Sequence, residues 1–495
     1  MHIEIGRPGI ARALGEVVAG RASTRLAPVS RRAMIRTLRR VRDAVRRGDR
    51  VYGVSTGLGG LADRAIPREK LSELQRNLLR SHACGVGEPL PADEIRLLLV
   101  LKAHSLAMGH SGVRPLVAER LLRWYRSGIL PRIPEQGSVG ASGDLAPLAH
   151  LGLALTGEGT FLDSRGTRVS RRLGWLALEP KEGLAIVNGT QASSAVAWAA
   201  LLRAEALLDL ADLAGACSLD GLLGTPEAFS PAAMSVTRHP GVRRAAERLR
   251  TFLRRSRIRA SHRDCQRVQD AYSLRCMPQV HGAVRDALAY VRRTLSDVAD
   301  SVSDNPILFP SRREPSMAGH FHGQPIALAC DHLASAIVPL ATIAERRIER
   351  LVNPDLSRLP AFLTRQGGLN SGFMLAHVTA ASLASECKAL ATPRGVDSIP
   401  TSAGQEDHVS MSMAAAVRLR RSLSNLEGVL AIELLCGCQA LEFHRPLRSG
   451  PAVEGLYRAI RERTPALGKD RNLSRDIERV SRQIRLGEFL TLTRA

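Results

Sequence analysis

"ASSAVAWAALLRAEALLDLADLAGACSLDGLLG", residues 192 to 224, is long, rich in Ala and Leu, and free of proline. Ala and Leu are strong helix formers, so the run reads as one long helix. Similar runs lie over 279 to 302, 324 to 352, 372 to 392 and 409 to 440. Aromatic residues make up only 3% of the 495 residues, so the core must be built from Leu, Ala, Val and Ile. Helices of this length with small side chains approach closely and pack as a bundle. Several are apolar on more than one face, which points to burial in a subunit interface. The expected fold is all-α, with a long-helix bundle over 192–440. A smaller helix- and loop-rich region, 1–191, precedes it, and a helical segment, 441–495, follows.

The first region alternates short helices with glycine-rich loops. "RRAMIRTLRRVRDAVRRG" (31 to 48) has helical spacing and stops on Gly48. "VYGVSTGLGGLA" (51 to 62) holds four glycines and reads as a functional or mobile loop. "IRLLLVLKAHSLAMGHSG" (95 to 112) reads as a buried helix ending near Gly109.

The formal net charge is +23. Such a balance raises nucleic acid or an anionic membrane as partners. Here the arginines are interleaved with apolar residues, with no basic tail, RGG run or zinc-finger spacing. They read as solvated helix faces, and no nucleic-acid partner is expected. The eight cysteines form no CxxC pair, which suits free thiols in a reducing compartment. No signal-peptide pattern opens the chain. The most apolar stretch is broken by Asp331 and His332, so no membrane span is read and a cytoplasmic location is expected.

Islands of polar residues interrupt the apolar scaffold at Tyr52-Gly53, Ser81-His82, Ala141 to Asp144, Asn188 to Thr190, Gln269 to Arg275, around Phe321, and at Gln405 to His408. No GxSxG elbow, P-loop, HExxH or paired CxxC accompanies them. The two histidines of "HFH" (320 to 322) read as ordinary polar residues, and no metal is expected. Taken singly, Ser142 is a turn serine, His82 a satisfied core histidine, and Glu406 an acid at a helix start.

The islands gain meaning from their order. "YGVSTG", "SHACGVGEP", "GSVGASGDLAPLAH", "EGLAIVNGTQ", "VQDAYSLRC", "SDNPILF", "FHGQP", "NSGFMLAHVTAASLASE" and "TSAGQEDHVSM" follow one another over roughly residues 50 to 440. In this order they resemble the aromatic amino acid ammonia-lyase family, most of all its histidine-type branch. The resemblance implies that Ala141-Ser142-Gly143 cyclises unaided into 4-methylidene-imidazol-5-one (MIO), with no external cofactor. Gly143 lets the chain bend for that closure. Ser142 supplies the hydroxyl that leaves.

The same resemblance implies roles for the other islands. Tyr52 would be the base that takes the substrate's β-proton. A phenol is a weak base at its ordinary pKa of about 10, so that role needs surroundings that favour the phenolate. Arg275 would clamp the substrate carboxylate. Asn188, Gln269, Tyr272 and Phe321 would line the electrophile and hold the substrate. His82 and Glu406 would choose the side chain, because a carboxylate can accept an imidazole N–H and a phenyl ring would leave it unpaired. The expectation is a homotetramer that converts L-histidine to trans-urocanate, with sites drawing on more than one subunit. Tyrosine or phenylalanine lyases and 2,3-aminomutases share these motifs. Ala271, Gly404, His320 and Cys84 depart from the usual Pro, Asn, Asn and Ala.

Overall fold

The computed structural model describes residues 1–163, 166–169, 175–262 and 267–494. It is dominated by helices, as the composition demands. The long helices are Gln191–Gly221, Met277–Ala299, Gln324–Val352, Met374–Leu390 and Ser412–Glu442. Each lies within a few residues of its expected range. Strands are few and two to four residues long.

Local chemistry sets the helix ends. Proline opens the helices Pro28–Arg47, Pro115–Ser127, Pro240–Leu253 and Pro451–Arg461, where its missing N–H costs nothing. Gly48 and Gly128 end two of them in the left-handed conformation, with φ of 75° and 67°.

The residues group into two compact units that interleave along the chain. The first comprises Met1–Ala200, Val291–Asp331 and Pro393–Arg418; the second comprises Leu201–Tyr290, His332–Thr392 and Leu419–Ala495. Within the first, the helix Ala92–Ala107 is buried on almost every side. The strand Pro134–Gln136 pairs antiparallel with Val86–Pro89 and leads into the loop 137–144, which the helix Leu145–Leu155 closes.

In the second unit, helices bury charge in matched sets. Arg347 donates to both oxygens of Glu433, at 2.6 and 3.0 Å, and all of it is out of solvent. Asp212 takes bonds from Arg248 at 2.7 Å and His281 at 2.8 Å. The helix Gln324–Val352 is long and apolar enough to cross a membrane, but most of its apolar window is buried inside the protein. The described cysteines are free thiols, mostly buried; Cys265 lies outside the described residues.

Candidate active site

The loop 137–144 can take its shape because of its glycines. Gly137, Gly140 and Gly143 have φ of 129°, 70° and 80°, a region that side chains disfavour. A Cβ on Gly143 would stand 2.2 Å from the carbonyl oxygen of Gly189. The two backbones pair directly there, and the Asp144 N–H donates to that same oxygen at 2.7 Å. Asp144 is fully buried and accepts from the Ser193 N–H at 2.7 Å, the Ser193 hydroxyl at 2.9 Å and the Ser138 hydroxyl at 3.0 Å. Burial pushes its carboxyl up, against the pull of those donors. From the other side, Gly140 O accepts from Gly323 N–H at 3.0 Å and Ser410 Oγ at 2.9 Å, and Met411 N–H donates to Val139 O at 2.7 Å.

This clamped loop presents Ala141 and Ser142 to a cavity of about 430 Å³. Tyr52, Asn188, Phe321 and Glu406 share its lining, together with Gly59, Asn305, Met317, His322, Asp407 and His408. All belong to the first unit. The structure therefore brings together residues that stand up to 356 positions apart in sequence, from Tyr52 to His408.

Glu406 makes the shortest polar contact. Its Oε1 accepts from Ser142 Oγ at 2.5 Å, and its Oε2 from Thr401 Oγ1 at 2.6 Å. The backbone pairing of Thr401 with Glu406 closes a tight turn that aims the carboxylate. Burial raises its carboxyl, but donors Ser142, Thr401 and Ser402 and the nearby His82 outweigh burial and hold it below the ordinary carboxylate value. His82 ends the helix Leu71–His82 and bonds Ser81 Oγ through Nδ1 at 2.9 Å. Burial pushes its imidazole down, so it leans toward the neutral form, against the upward pull of Leu78 O and Glu406. His82 does not line the cavity itself, and its pull on Glu406 is the weakest of those that lower the carboxyl.

Tyr52 sits half-buried with its oxygen accepting from the Gly59 N–H at 3.1 Å, a bond that fixes where that oxygen stands in the cavity. Asn188 is buried, and its side-chain oxygen has no partner among the described residues. An orphaned buried acceptor of this kind marks a place for a donor that arrives later. His322 and His408 stack at 5.7 Å at the same cavity.

The other expected residues lie in the second unit and do not line this cavity. Gln269 and Tyr272 are exposed, Tyr272 by 70%. Arg275 lies over the Tyr272 ring at 4.6 Å, and its Nε is buried without a partner among the described residues. Of the departures, Gly404 has a φ of 84° and open space where a Cβ would be, and His320 is exposed.

Lys102, Asp144 and Asn305 are polar residues at or behind the cavity to which the sequence assigned no role, the last two although they lie in the quoted motifs. Lys102 is fully buried in the helix Ala92–Ala107 and donates to Asn188 O at 2.6 Å and Gln191 Oε1 at 3.2 Å. Its signal was a lone cation inside "LLLVLKAHSL".

Comparison with known proteins agrees with this geometry. The sequence profile of the aromatic amino acid lyases matches residues 11–462. A histidine ammonia-lyase of Anaeromyxobacter dehalogenans is 51% identical over 483 residues, covering 94% of this chain and 95% of that protein. Among solved structures, the histidine ammonia-lyase of Trypanosoma cruzi superimposes with a TM-score of 0.91 at 38% identity, over 100% of this chain and 95% of that one. A tyrosine aminomutase of Streptomyces globisporus gives 0.93 at 34% identity, over 99% and 98%.

Proposed function

The chain belongs to the aromatic amino acid lyase family, a group of carbon–nitrogen lyases, and we propose that it eliminates ammonia from L-histidine to give trans-urocanate. One observation carries the reading. Ser142, in a glycine-strained tripeptide, meets the Glu406 carboxylate at 2.5 Å in the cavity that also holds Tyr52 and Asn188.

The tripeptide fits closure to MIO. The contact between Gly143 and Gly189 leaves no room for a side chain at the ring-closing nitrogen. In closure that nitrogen bonds to the Ala141 carbonyl carbon. The carbonyl oxygen leaves as water with the N–H protons of Ser142 and Gly143. The Ser142 hydroxyl leaves as a second water with its Cα proton. The orphaned Asn188 oxygen and the donor-rich Glu406 turn surround the space this creates. Once formed, the group supplies an electrophilic methylidene carbon that turns the substrate amine into a better leaving group.

The chain's own residues do the rest. Tyr52 Oη, steadied by the Gly59 N–H, takes the β-proton. Glu406, freed when the Ser142 hydroxyl departs, accepts an imidazole N–H from the substrate side chain. The two carboxylate-facing sequence features, His82 and Glu406, favour imidazole over phenyl, which would leave the carboxylate unpaired. Phe321 walls the cavity beside Ser142. Gln269, Tyr272 and Arg275 fit as groups supplied by a second copy, with Arg275 clamping the substrate carboxylate; this accords with a homotetramer. The free thiols accord with a reducing, cytoplasmic location.

The test is a substrate panel. Purified protein incubated with L-histidine, L-tyrosine or L-phenylalanine is followed by the ultraviolet absorbance of the unsaturated acids. Urocanate from histidine alone supports the reading. Coumarate or a β-amino acid as the main product overturns it. Intact mass checks the electrophile: the closed chain is two waters lighter, and Ser142→Ala should lose both the mass change and turnover.

A further inference from the structure

Two lysines are buried in the first unit, and they differ in one respect. Lys181 has its own counter-ion, with both oxygens of Asp304 at 3.0 and 2.9 Å. Lys102 has none: among the described residues no carboxylate is within ion-pair distance, and its acceptors are the Asn188 carbonyl and the Gln191 side-chain oxygen. Burying an ammonium without a carboxylate is costly, so few proteins place one where an apolar side chain would pack. The stretch around it, "LLLVLKAHSL", is otherwise apolar but for His104 and Ser105.

Its location gives that charge a use. Asn188 O, which Lys102 holds, belongs to the peptide unit joining Asn188 to Gly189. Gly189 is the residue paired with Gly143, and its own carbonyl takes the Asp144 N–H. The cation is thus linked to the tripeptide through Asn188 O and the pairing of Gly189 with Gly143. Gln191 ties the same turn to Ser303 through a 2.6 Å bond. Asp304 and Asp144 raise the affinity of Lys102 for its proton and Lys181 lowers it; burial outweighs them and brings the ammonium down to about 7.

We propose that Lys102 is a positioning residue that fixes the turn Asn188–Gln191 against Ala141–Gly143 and, through its unneutralised charge, steadies negative charge forming at that tripeptide. The inference rests on the reading of Ala141–Gly143 as the electrophile's precursor. Negative charge arises first on the Ala141 carbonyl oxygen as the Gly143 nitrogen attacks it, and again during turnover.

Gln191→Glu separates charge from structure. It sets a carboxylate where an amide oxygen already meets Lys102 at 3.2 Å, so that bond and the shape stay while the charge is cancelled, and the Ser303 hydroxyl, which accepts from the Gln191 amide at 2.6 Å, turns to donate instead. The full-length protein is assayed at a pH below about 7, where the wild-type ammonium is charged. Expected are a melting temperature no lower than wild type, KM within about twofold, kcat lower by about 10- to 50-fold, and slower appearance of the chain that is two waters lighter. Lys102→Met should lower kcat at least as far. Gln191→Glu with wild-type kcat and wild-type closure overturns the role of charge, even if Lys102→Met fails to fold. Wild-type protein of full, unclosed mass would overturn the electrophile and this role with it, whereas closed wild type with an unaffected Gln191→Glu overturns the Lys102 inference alone.

Discussion

Replacing Glu406 with Gln tests whether this carboxylate chooses the substrate. The amide keeps the shape and can still accept from Thr401 Oγ1, now 2.6 Å from Oε2. What it loses is the charge. A hydrogen bond to a charged group contributes about 1.5–3 kcal/mol, roughly double a neutral one. Glu406 is half-buried, so solvent screening favours the lower part of that range, about 1.5–2 kcal/mol, of which losing the charge alone removes about half, about 0.75–1 kcal/mol. At about 1.4 kcal/mol per factor of ten, kcat/KM for L-histidine should fall by about 3- to 5-fold. Phenylalanine offers no donor, and with it the wild-type Oε1 stays unpaired while Oε2 keeps Thr401. The variant removes that penalty, so kcat/KM for phenylalanine should hold or rise by several-fold. The assay is steady-state kcat/KM on histidine, tyrosine and phenylalanine for both proteins, with intact mass to confirm that both have closed. A drop by one common factor on all three substrates would refute the reasoning, because Glu406 would then serve the chemistry and not the choice of side chain.

Gly143→Ala should fold poorly or fail to close, because its Cβ would meet Gly189 O at 2.2 Å at a φ of 80°; the strain is about 1–3 kcal/mol, and intact mass should stay at the unmodified value. Arg347→Met strands the buried Glu433 carboxylate, so thermal unfolding should show a loss of about 3–5 kcal/mol, and an unchanged midpoint would mean the pair contributes nothing. Asp220 supplies a pH test: burial lifts its carboxyl from 3.8 to about 6, against donors Ser449 and Ser256. An acid raised on folding favours the native state while protonated, below about pH 4, and that contribution is lost as pH rises through about 6. The shift is about two units, about 3 kcal/mol, so Asp220→Asn should raise the melting temperature at about pH 8 more than at about pH 4. Equal shifts at both pH values would refute that origin.

The long helices were legible because their signal is local. Ala and Leu favour the helix wherever they fall, and Gln191–Gly221 and Gln324–Val352 sit within about three residues of the ranges read from composition. The short strands were not, because a pair such as Leu130–Pro131 with Phe161–Leu162 is too brief to carry a two-residue period. Nor can a reading along the chain cut it into anything but contiguous pieces, whereas the two compact units interleave and four of their boundaries fall inside long helices.

The site divides along the same line. Tyr52, Ser142, Asn188, Phe321 and Glu406 were named because each lies in a motif whose order resembles a family, and one cavity gathers them. Residues that act through the backbone carried no such mark. Gly143 and Gly189 each look like an ordinary turn glycine; their need for glycine arises only because the two strands of chain meet with no room between them. Lys102 is different, since its anomaly was visible as one cation in an apolar helix. A sequence displays the cost of that burial but not what stands on the other side of it. Only the bond to Asn188 O gives that cost the use we propose, by tying an unneutralised charge to the turn that pairs with Ala141–Gly143.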